Sequence, residues 1–411
     1  MHATVQSMNF QTHGQLYMAK MREPKPVLGA RPAVTVLIAA HNEEASIKAV
    51  LESCLNQTFK PARIVVAADN CTDNTVAVAR SCPGVTVFET VNNTHKKSGA
   101  LNQGWHLTRA VTNLYITIDA DTLLPPTAIA DWVDEFRDKR VAGVSAKFTM
   151  LTPKEIRKLA VNGTLPTAPQ DLPVMRWREI AWVRLQKFEF SRWTDTALAR
   201  KDRWTSVLAG TACAIRASAL EEVVAVEGWS EGPWTYESAV EDFYLTYCLR
   251  RMGYQCRVSA TVRAYTGAMT TLKTLWAQRL KWQIGTAQDL KRLGFNKQTM
   301  IDWRQQAVGM LAAWLRIAWV SLIAAELVFT HHVRLMHYWW MFPVLFIMLD
   351  FRAALRIPHK SKADMLMALA LIPQEVFAWI RAAWFTWSWI SVLTGRKTDL
   401  WAAQIAAEGR K

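Results

Sequence analysis

The chain has 411 residues, enough for one large or two medium domains, and Lys plus Arg outnumber Asp plus Glu by 49 to 34, a formal net charge of +15. That excess points to a polyanionic partner or an anionic membrane face. Nucleic acid is set aside, because no zinc-finger spacing, basic helix or RNA-binding motif stands out. The six cysteines (Cys54, Cys71, Cys82, Cys213, Cys248, Cys256) form no C-x-x-C pairs and read as free thiols in a reducing compartment.

Residues 1–31 are polar, lack a secretory apolar core and read as a loosely ordered arm. Residues 34–40 form the first expected strand, ending in His41-Asn42-Glu43-Glu44, with a helix over 46–55. A second strand at 63–68 ends in Asp69-Asn70-Cys71-Thr72-Asp73. A helix over 75–81, a strand at 85–88 and a helix opened by Lys96-Lys97-Ser98-Gly99 follow. The run Leu114-Tyr115-Ile116-Thr117-Ile118 then reads as a buried parallel strand running into Asp119-Ala120-Asp121. The alternation predicts an α/β, doubly wound, mostly parallel sheet, whose ligands bind outside the carboxyl ends of the strands. Two carboxylates two residues apart at such an end can share a hard divalent cation with a diphosphate, or simply cap the strand in solvent.

Residues 141–146 give a further strand, and 151–173, with four prolines, read as a loop or insertion. Residues 176–193 form an amphipathic helix rich in Arg and Trp, either packed on the sheet or lying at a membrane surface. Around Gly210 and Thr211 the residues are small, which suits either the approach of backbone to a sugar or a tight turn. Glu241 and Asp242 open a helix to Met252, where acidic residues also suit the helix dipole. Residues 270–293 are helical, with Gln278, Lys281 and Trp282 on one face.

The composition then changes. Residues 307–328 are apolar but for Arg316 and Glu326, and about 33 Å of helix would span a bilayer core. Residues 335–349 form a shorter apolar run with His337, Tyr338, Trp339 and Trp340 at its start. The pair reads as a transmembrane hairpin, with the basic loop Arg352, Arg356, Lys360 and Lys362 on the cytoplasmic side. Residues 365–393, broken at Pro373-Gln374-Glu375, read as an interfacial helix plus one span, or as a re-entrant pair. About half of the 20 Trp lie after Met300, as a headgroup belt requires. The expected plan is an arm (1–31), a cytoplasmic catalytic domain with interfacial helices (32–300), a membrane region of two or three spans (301–395) and a polar tail (396–411).

Taken in order, these motifs resemble the membrane-integrated family 2 glycosyltransferases, the group of the poly-N-acetylglucosamine, cellulose, chitin and hyaluronan synthases. The resemblance runs from about Val34 to Leu290, and more loosely beyond. It implies a GT-A nucleotide-sugar domain followed by interfacial and transmembrane helices. It also implies roles. Glu43, in Ala40-His41-Asn42-Glu43-Glu44, belongs to the first nucleotide motif, and Asp69 meets the uracil. Lys97 lies by the diphosphate. Asp119 and Asp121 are the D-x-D pair, with Asp121 nearer the Mn²⁺ or Mg²⁺. Gly210, Thr211 and Glu241 lie by the acceptor, and Asp242 is the general base. Gln278, Arg279 and Trp282 match Q-x-x-R-W, which holds the diphosphate and stacks the acceptor sugar.

Two departures stand out. Lys281 replaces an arginine of the last motif and lacks its bidentate fork. No membrane helix precedes the catalytic domain, so the expectation is an oligomer, or transfer without threading a long polymer. The function implied is inverting transfer of N-acetylglucosamine or glucose from a UDP-sugar to a growing β-linked glycan at the cell membrane. A non-processive transfer to a lipid- or protein-linked acceptor and a non-catalytic scaffold are the competing readings.

Overall fold

The computed structural model describes residues 31–169, 172–332, 341–396 and 399–409. Nearly all of the expected arm, and His337, Tyr338, Trp339 and Trp340, lie outside the described residues. The chain divides into two compact units. One is Met1–Met175 with Thr196–Gly267, and the other is Arg176–Asp195 with Ala268–Lys411.

The first unit is built on one seven-stranded sheet. Its strands are β1 (Val34–Ala40), β2 (Arg63–Ala68), β3 (Val85–Glu89), β4 (Leu114–Asp119), β5 (Val141–Met150), β6 (Ala212–Arg216) and β7 (Gln255–Thr266), in spatial order β3-β2-β1-β4-β6-β5-β7. β3, β2, β1 and β4 run parallel, whereas β6 is antiparallel to both β4 and β5. The sheet is thus mixed and mostly parallel. β1 and β4 are buried along nearly their whole length, as strands covered by helices on both faces must be. The covering helices bring Trp105 and Trp132 into the core, and the Trp132 indole donates to Val144 O at 3.1 Å. The helix Lys96–Thr108 lies so close to β1 that a Cβ built on Gly104 would sit 2.4 Å from Leu37 Cδ1.

β6 and the helices Ala128–Glu135 and Ala217–Glu227 carried no expectation, and two further elements differ from it. Residues 153–161, expected as loop, form a helix. Pro153 stands at its first turn, where its missing N–H costs nothing, and Thr152 and Glu155 close a capping box. β7 carried no strand expectation. It alternates Cys256, Val258, Val262 and Ala264 inward, but two register shifts against β5 interrupt the period.

The second unit is helical, with Trp177–Leu198 entering it, then Leu272–Leu293, Met300–Thr330, Met341–Arg356, Lys362–Leu369, Leu371–Leu393 and Leu400–Glu408. Met300–Thr330 and Leu371–Leu393 are long and apolar enough to cross a membrane. The expected break at Pro373 falls instead at Ala370, and Pro373 lies in the first turn of the following helix. Part of the polar tail is helical, capped by Asp399, which accepts from Trp401 N and Ala402 N.

The contact at Gly104 sets a test. Gly104→Val should lower thermal stability by about 1–3 kcal/mol through overpacking against Leu37. An unchanged melting temperature would show that this helix is not held against β1.

Candidate active site

The loops after β1 and β2 are laced together. Asn42 and Asn70 take left-handed backbone, φ 54° and 49°, which asparagine tolerates better than most residues. Thr72 N donates to Asn42 Oδ1 at 2.8 Å, and His41 Nδ1 donates to Asp69 O at 2.7 Å. Asp69 is buried at the end of β2, and its Oδ1 accepts from Thr90 Oγ1, Asn93 Nδ2 and Asn70 Nδ2 at 2.8, 2.7 and 3.0 Å. All three bonds go to one oxygen, which leaves Oδ2 for a donor from outside. Glu43 is engaged locally: its Oε2 accepts from Ser46 Oγ at 2.8 Å and its N–H donates to Thr75 Oγ1 at 2.7 Å.

Lys97, Asp119, Gly210 and Asp242 converge. The antiparallel register of β4 with β6 sets Ile118 opposite Ala212, so the turn at Gly210 and Thr211 falls beside Asp119, whose N–H donates to Thr211 O at 3.0 Å. Lys97, at the start of Lys96–Thr108, makes a short ion pair with Asp119 and donates to Gly210 O at 3.1 Å. Gly210 N donates to Asp242 Oδ2 at 3.0 Å. Asp242 lies in the first turn of the helix Glu241–Arg251, and Thr246 of that helix accepts from Leu208 N at 2.8 Å, which fixes the turn from its other side. Burial works against the charge of Lys97. Asp119, Glu241 and Asp242 outweigh it and hold the ammonium pKa above its usual value.

Asp121 lies at the far end of the same strand exit. Its Oδ1 accepts from Thr266 Oγ1 at 3.2 Å, and a Cβ built on Gly267 would lie 2.4 Å from its Oδ2. A side chain at position 267 would displace that carboxylate from its place against the end of β7. Among the described residues no three His, Cys, Asp or Glu side chains could hold a metal ion by themselves. The hard oxygens of Asp121 and Asp119 fit Mg²⁺ or Mn²⁺ provided a ligand supplies the remaining oxygens. Burial pushes the nearby Cys213 thiol up to about 12, which disfavours its thiolate.

Sequence reasoning passed over Thr266 and Gly267, which β7 delivers, and Asn102. Asn102 is fully buried, donates to Trp234 O at 2.8 Å and accepts from Trp234 N at 3.0 Å. His95 stacks on Tyr236 at 3.8 Å between centroids. These contacts fasten the segment leading to Asp242 along the helix that carries Lys97. The signal is its place in the sequence: Asn102 lies one turn after Ser98, on the same face of the helix that Lys96-Lys97-Ser98-Gly99 opens.

The second unit carries the remaining three candidates. The Arg279 guanidinium donates from Nε and Nη2 to Glu189 Oε2 at 3.1 and 2.8 Å, bonds Gln278 Oε1, and lies 4.4 Å over the Trp282 ring. Burial raises the Glu189 carboxyl, but Arg279, Arg381 and Arg192 outweigh it and hold its pKa low. Lys281 is buried with its ammonium 3.2 Å over the Trp401 ring. A lysine in place of the expected arginine is therefore packed against the C-terminal helix.

With this geometry in hand, comparison with known proteins decides the family. The description Glycosyl transferase family 2 matches residues 35–224, and Glycosyl transferase family group 2 matches 169–355. The chain is a family 2 glycosyltransferase. It is 22% identical over 291 residues to the poly-beta-1,6-N-acetyl-D-glucosamine synthase of Staphylococcus aureus (strain COL), covering 68% of this chain and 62% of the relative. It is 25% identical over 265 residues to the probable glycosyltransferase YdaM of Bacillus subtilis (strain 168), covering 62% and 55%. The matches thus span under two thirds of these relatives' own length. Among solved structures, it resembles the mannosyltransferase PcManGT from Pyrobaculum calidifontis in complex with GDP-Man and Mn²⁺, with a TM-score of 0.51, 16% identity, and 92% and 97% of the two chains covered. That likeness shows the fold, which is of the GT-A type.

In this glycosyltransferase the Lys97 ion pair carries a pH signature. A raised pKa makes its contribution to stability whole below about 10.4, the ordinary lysine value, and lost only as pH climbs through the folded value. Lys97→Met should therefore lower the melting temperature near neutrality, with a deficit that shrinks above about pH 10.4. A deficit that grows with pH would contradict the pairing.

Proposed function

We propose that this protein transfers a sugar, with inversion, from a UDP-sugar to an acceptor hydroxyl at the cell membrane. The observation that carries the reading is the convergence of Lys97, Asp119, Gly210 and Asp242 beside Asp121. Asp69 Oδ2 accepts the uracil N–H, with Glu43 supporting the first loop. Lys97 stabilises the negative charge that develops on the diphosphate. Mn²⁺ or Mg²⁺, when bound at Asp121 with Asp119, supplies positive charge to the leaving UDP. Gly210, Thr211 and Glu241 border the acceptor. Asp242 takes the proton of the acceptor hydroxyl as its oxygen bonds to the anomeric carbon and the bond to UDP breaks. One displacement turns an α-linked donor into a β-linked product. Gln278, Arg279 and Trp282 take the diphosphate and acceptor roles implied by the family pattern.

Three carboxylates, Asp119, Glu241 and Asp242, act on one lysine in the first unit's site, and Asp121 follows two residues after Asp119. An anionic donor would be repelled there without a divalent cation, which supports metal dependence. The likeness to a poly-N-acetylglucosamine synthase supports N-acetylglucosamine ahead of glucose, and a processive polysaccharide synthase ahead of a transferase that adds one or a few sugars. The two long apolar helices support a multi-pass protein whose first unit faces the cytoplasm, working alone or as an oligomer.

The test is nucleotide release by the purified protein across a panel of UDP-sugars and GDP-mannose with Mn²⁺ or Mg²⁺, with products sized on a gel. Wild type should release UDP from one donor, and Asp242→Asn should bind that donor yet lose at least about a hundredfold in turnover. Retained turnover in Asp242→Asn would remove the base assignment. Release of GDP alone would overturn the donor.

A further inference from the structure

The helix Leu371–Leu393 buries Gln374, Phe377, Trp384, Ser388 and Ser391. These positions follow one another at spacings that keep to a single helical stripe. Position 381 falls on that stripe, one turn after Phe377 and one turn before Trp384. Phe377 and Trp384 are packed there against Leu185 and Leu275. Yet Arg381 is exposed. A cation exposed in the middle of a buried stripe stands in an opening of the packed face.

The groups that face it are charged. Arg381 interacts with Glu189, Arg192, Arg316 and Arg279. Three of these arginines have acids of their own: Arg192 pairs with Asp350, Arg279 with Glu189 at 2.8 Å, and Arg316 with Glu375 at 3.8 Å. Among the described residues Arg381 has no acid within ion-pair distance. Four arginines against three acids leave one net positive charge. Gln374, itself buried, accepts from Arg192 Nη2 at 3.4 Å through its oxygen, while its amide nitrogen finds no acceptor. The opening thus offers an unpaired guanidinium, and the buried Gln374 amide on the same helix lacks an acceptor; the helix is long and apolar enough to enter a membrane. An ionised side chain is costly on such a helix and persists where it meets a partner. A guanidinium fork matches phosphate oxygens two at a time, and one surplus positive charge matches a singly charged phosphodiester.

We propose that the opening around Arg381 binds the phosphate group of a membrane lipid headgroup. Arg279 belongs to the Gln278–Trp282 element, but Arg381 and Gln374 have no part in the proposed transfer.

The test uses the full chain, delipidated in detergent and equilibrated with phosphatidylcholine vesicles containing or lacking phosphatidylglycerol. Retained lipid is counted by mass spectrometry, and inorganic phosphate is tested separately by thermal shift. No sugar donor is present, so the result is independent of catalysis. Wild type should retain phosphatidylglycerol above its proportion in the vesicles. Arg381→Gln should lose about tenfold of that retention, the size of one charge-assisted bidentate contact. Arg381→Lys, which keeps charge without the fork and serves if the glutamine variant fails to fold, should fall between. Arg396→Gln, an exposed cation elsewhere on the unit, should match wild type. Equal retention in wild type and both Arg381 variants would overturn the proposal. So would an equal loss in Arg396→Gln, which would mean general attraction to charge. Stabilisation by inorganic phosphate without lipid enrichment would also overturn it.

Discussion

Lys97 must stay charged where little water reaches it, and the first unit's site depends on how that is arranged. The ammonium is held by Asp119 at the end of β4 and by the carbonyl of Gly210 in the turn before β6. The N–H of the same glycine is held by Asp242, at the start of the helix Glu241–Arg251. Four segments of the chain are therefore fixed relative to one another through one side chain and the backbone of one glycine. Asn102 repeats the device on the helix of Lys97 by gripping both backbone groups of Trp234. A shift of the helix Lys96–Thr108 would move the Lys97 ammonium and disturb the seat of the Asp242 carboxylate together. The acids that keep Lys97 protonated also make the site strongly negative, although the chain as a whole carries +15. A polyanionic donor enters such a place only with positive charge brought alongside it.

The second unit solves a related problem differently. Its helices are largely apolar, yet Trp177–Leu198 places Arg184 and Lys187 against Asp364, Glu189 against Arg279, and Asp195 against Arg356. The buried pairs among these, those of Asp364 with Lys187 and of Glu189 with Arg279, add little net stability, but removing one partner strands a charge at a cost of about 3–5 kcal/mol. Their effect is to fix which helix faces which. The Gln278–Trp282 element inherits its orientation from this lattice, through Glu189. Lys281 shows the same logic, since its place in the motif is set by Trp401.

Much of this was legible in the sequence because the strands are buried on both faces. Continuous runs such as Val34 to Ala40 and Leu114 to Ile118 cannot be placed elsewhere, and the polar residues that follow them must lie at the carboxyl edge. The family resemblance and the GT-A fold followed from the order of those edges. What escaped depended on information the local pattern does not hold. Pro153 looked like a breaker because its partner in starting a helix, the Thr152–Glu155 box, had to be weighed with it. β7 escaped because its bulges spoil the alternation, and with it went Thr266 and Gly267 beside Asp121. The small residues at Gly210 and Thr211 left two readings open, a tight turn or a ligand approach. The turn that forms there is also where Lys97 and Asp242 meet. No periodicity could reveal the exposure of Arg381, because its position lies on the buried stripe of its helix.

The most direct measurement of the central claim is calorimetric titration of UDP into the purified protein, with Mn²⁺ and with a chelator, using wild type and Asp121→Asn. The account predicts one UDP bound per chain with the metal, and affinity reduced at least about tenfold by either the chelator or the substitution. UDP binding of equal strength in all of these conditions would contradict a metal-assisted diphosphate site at the end of β4.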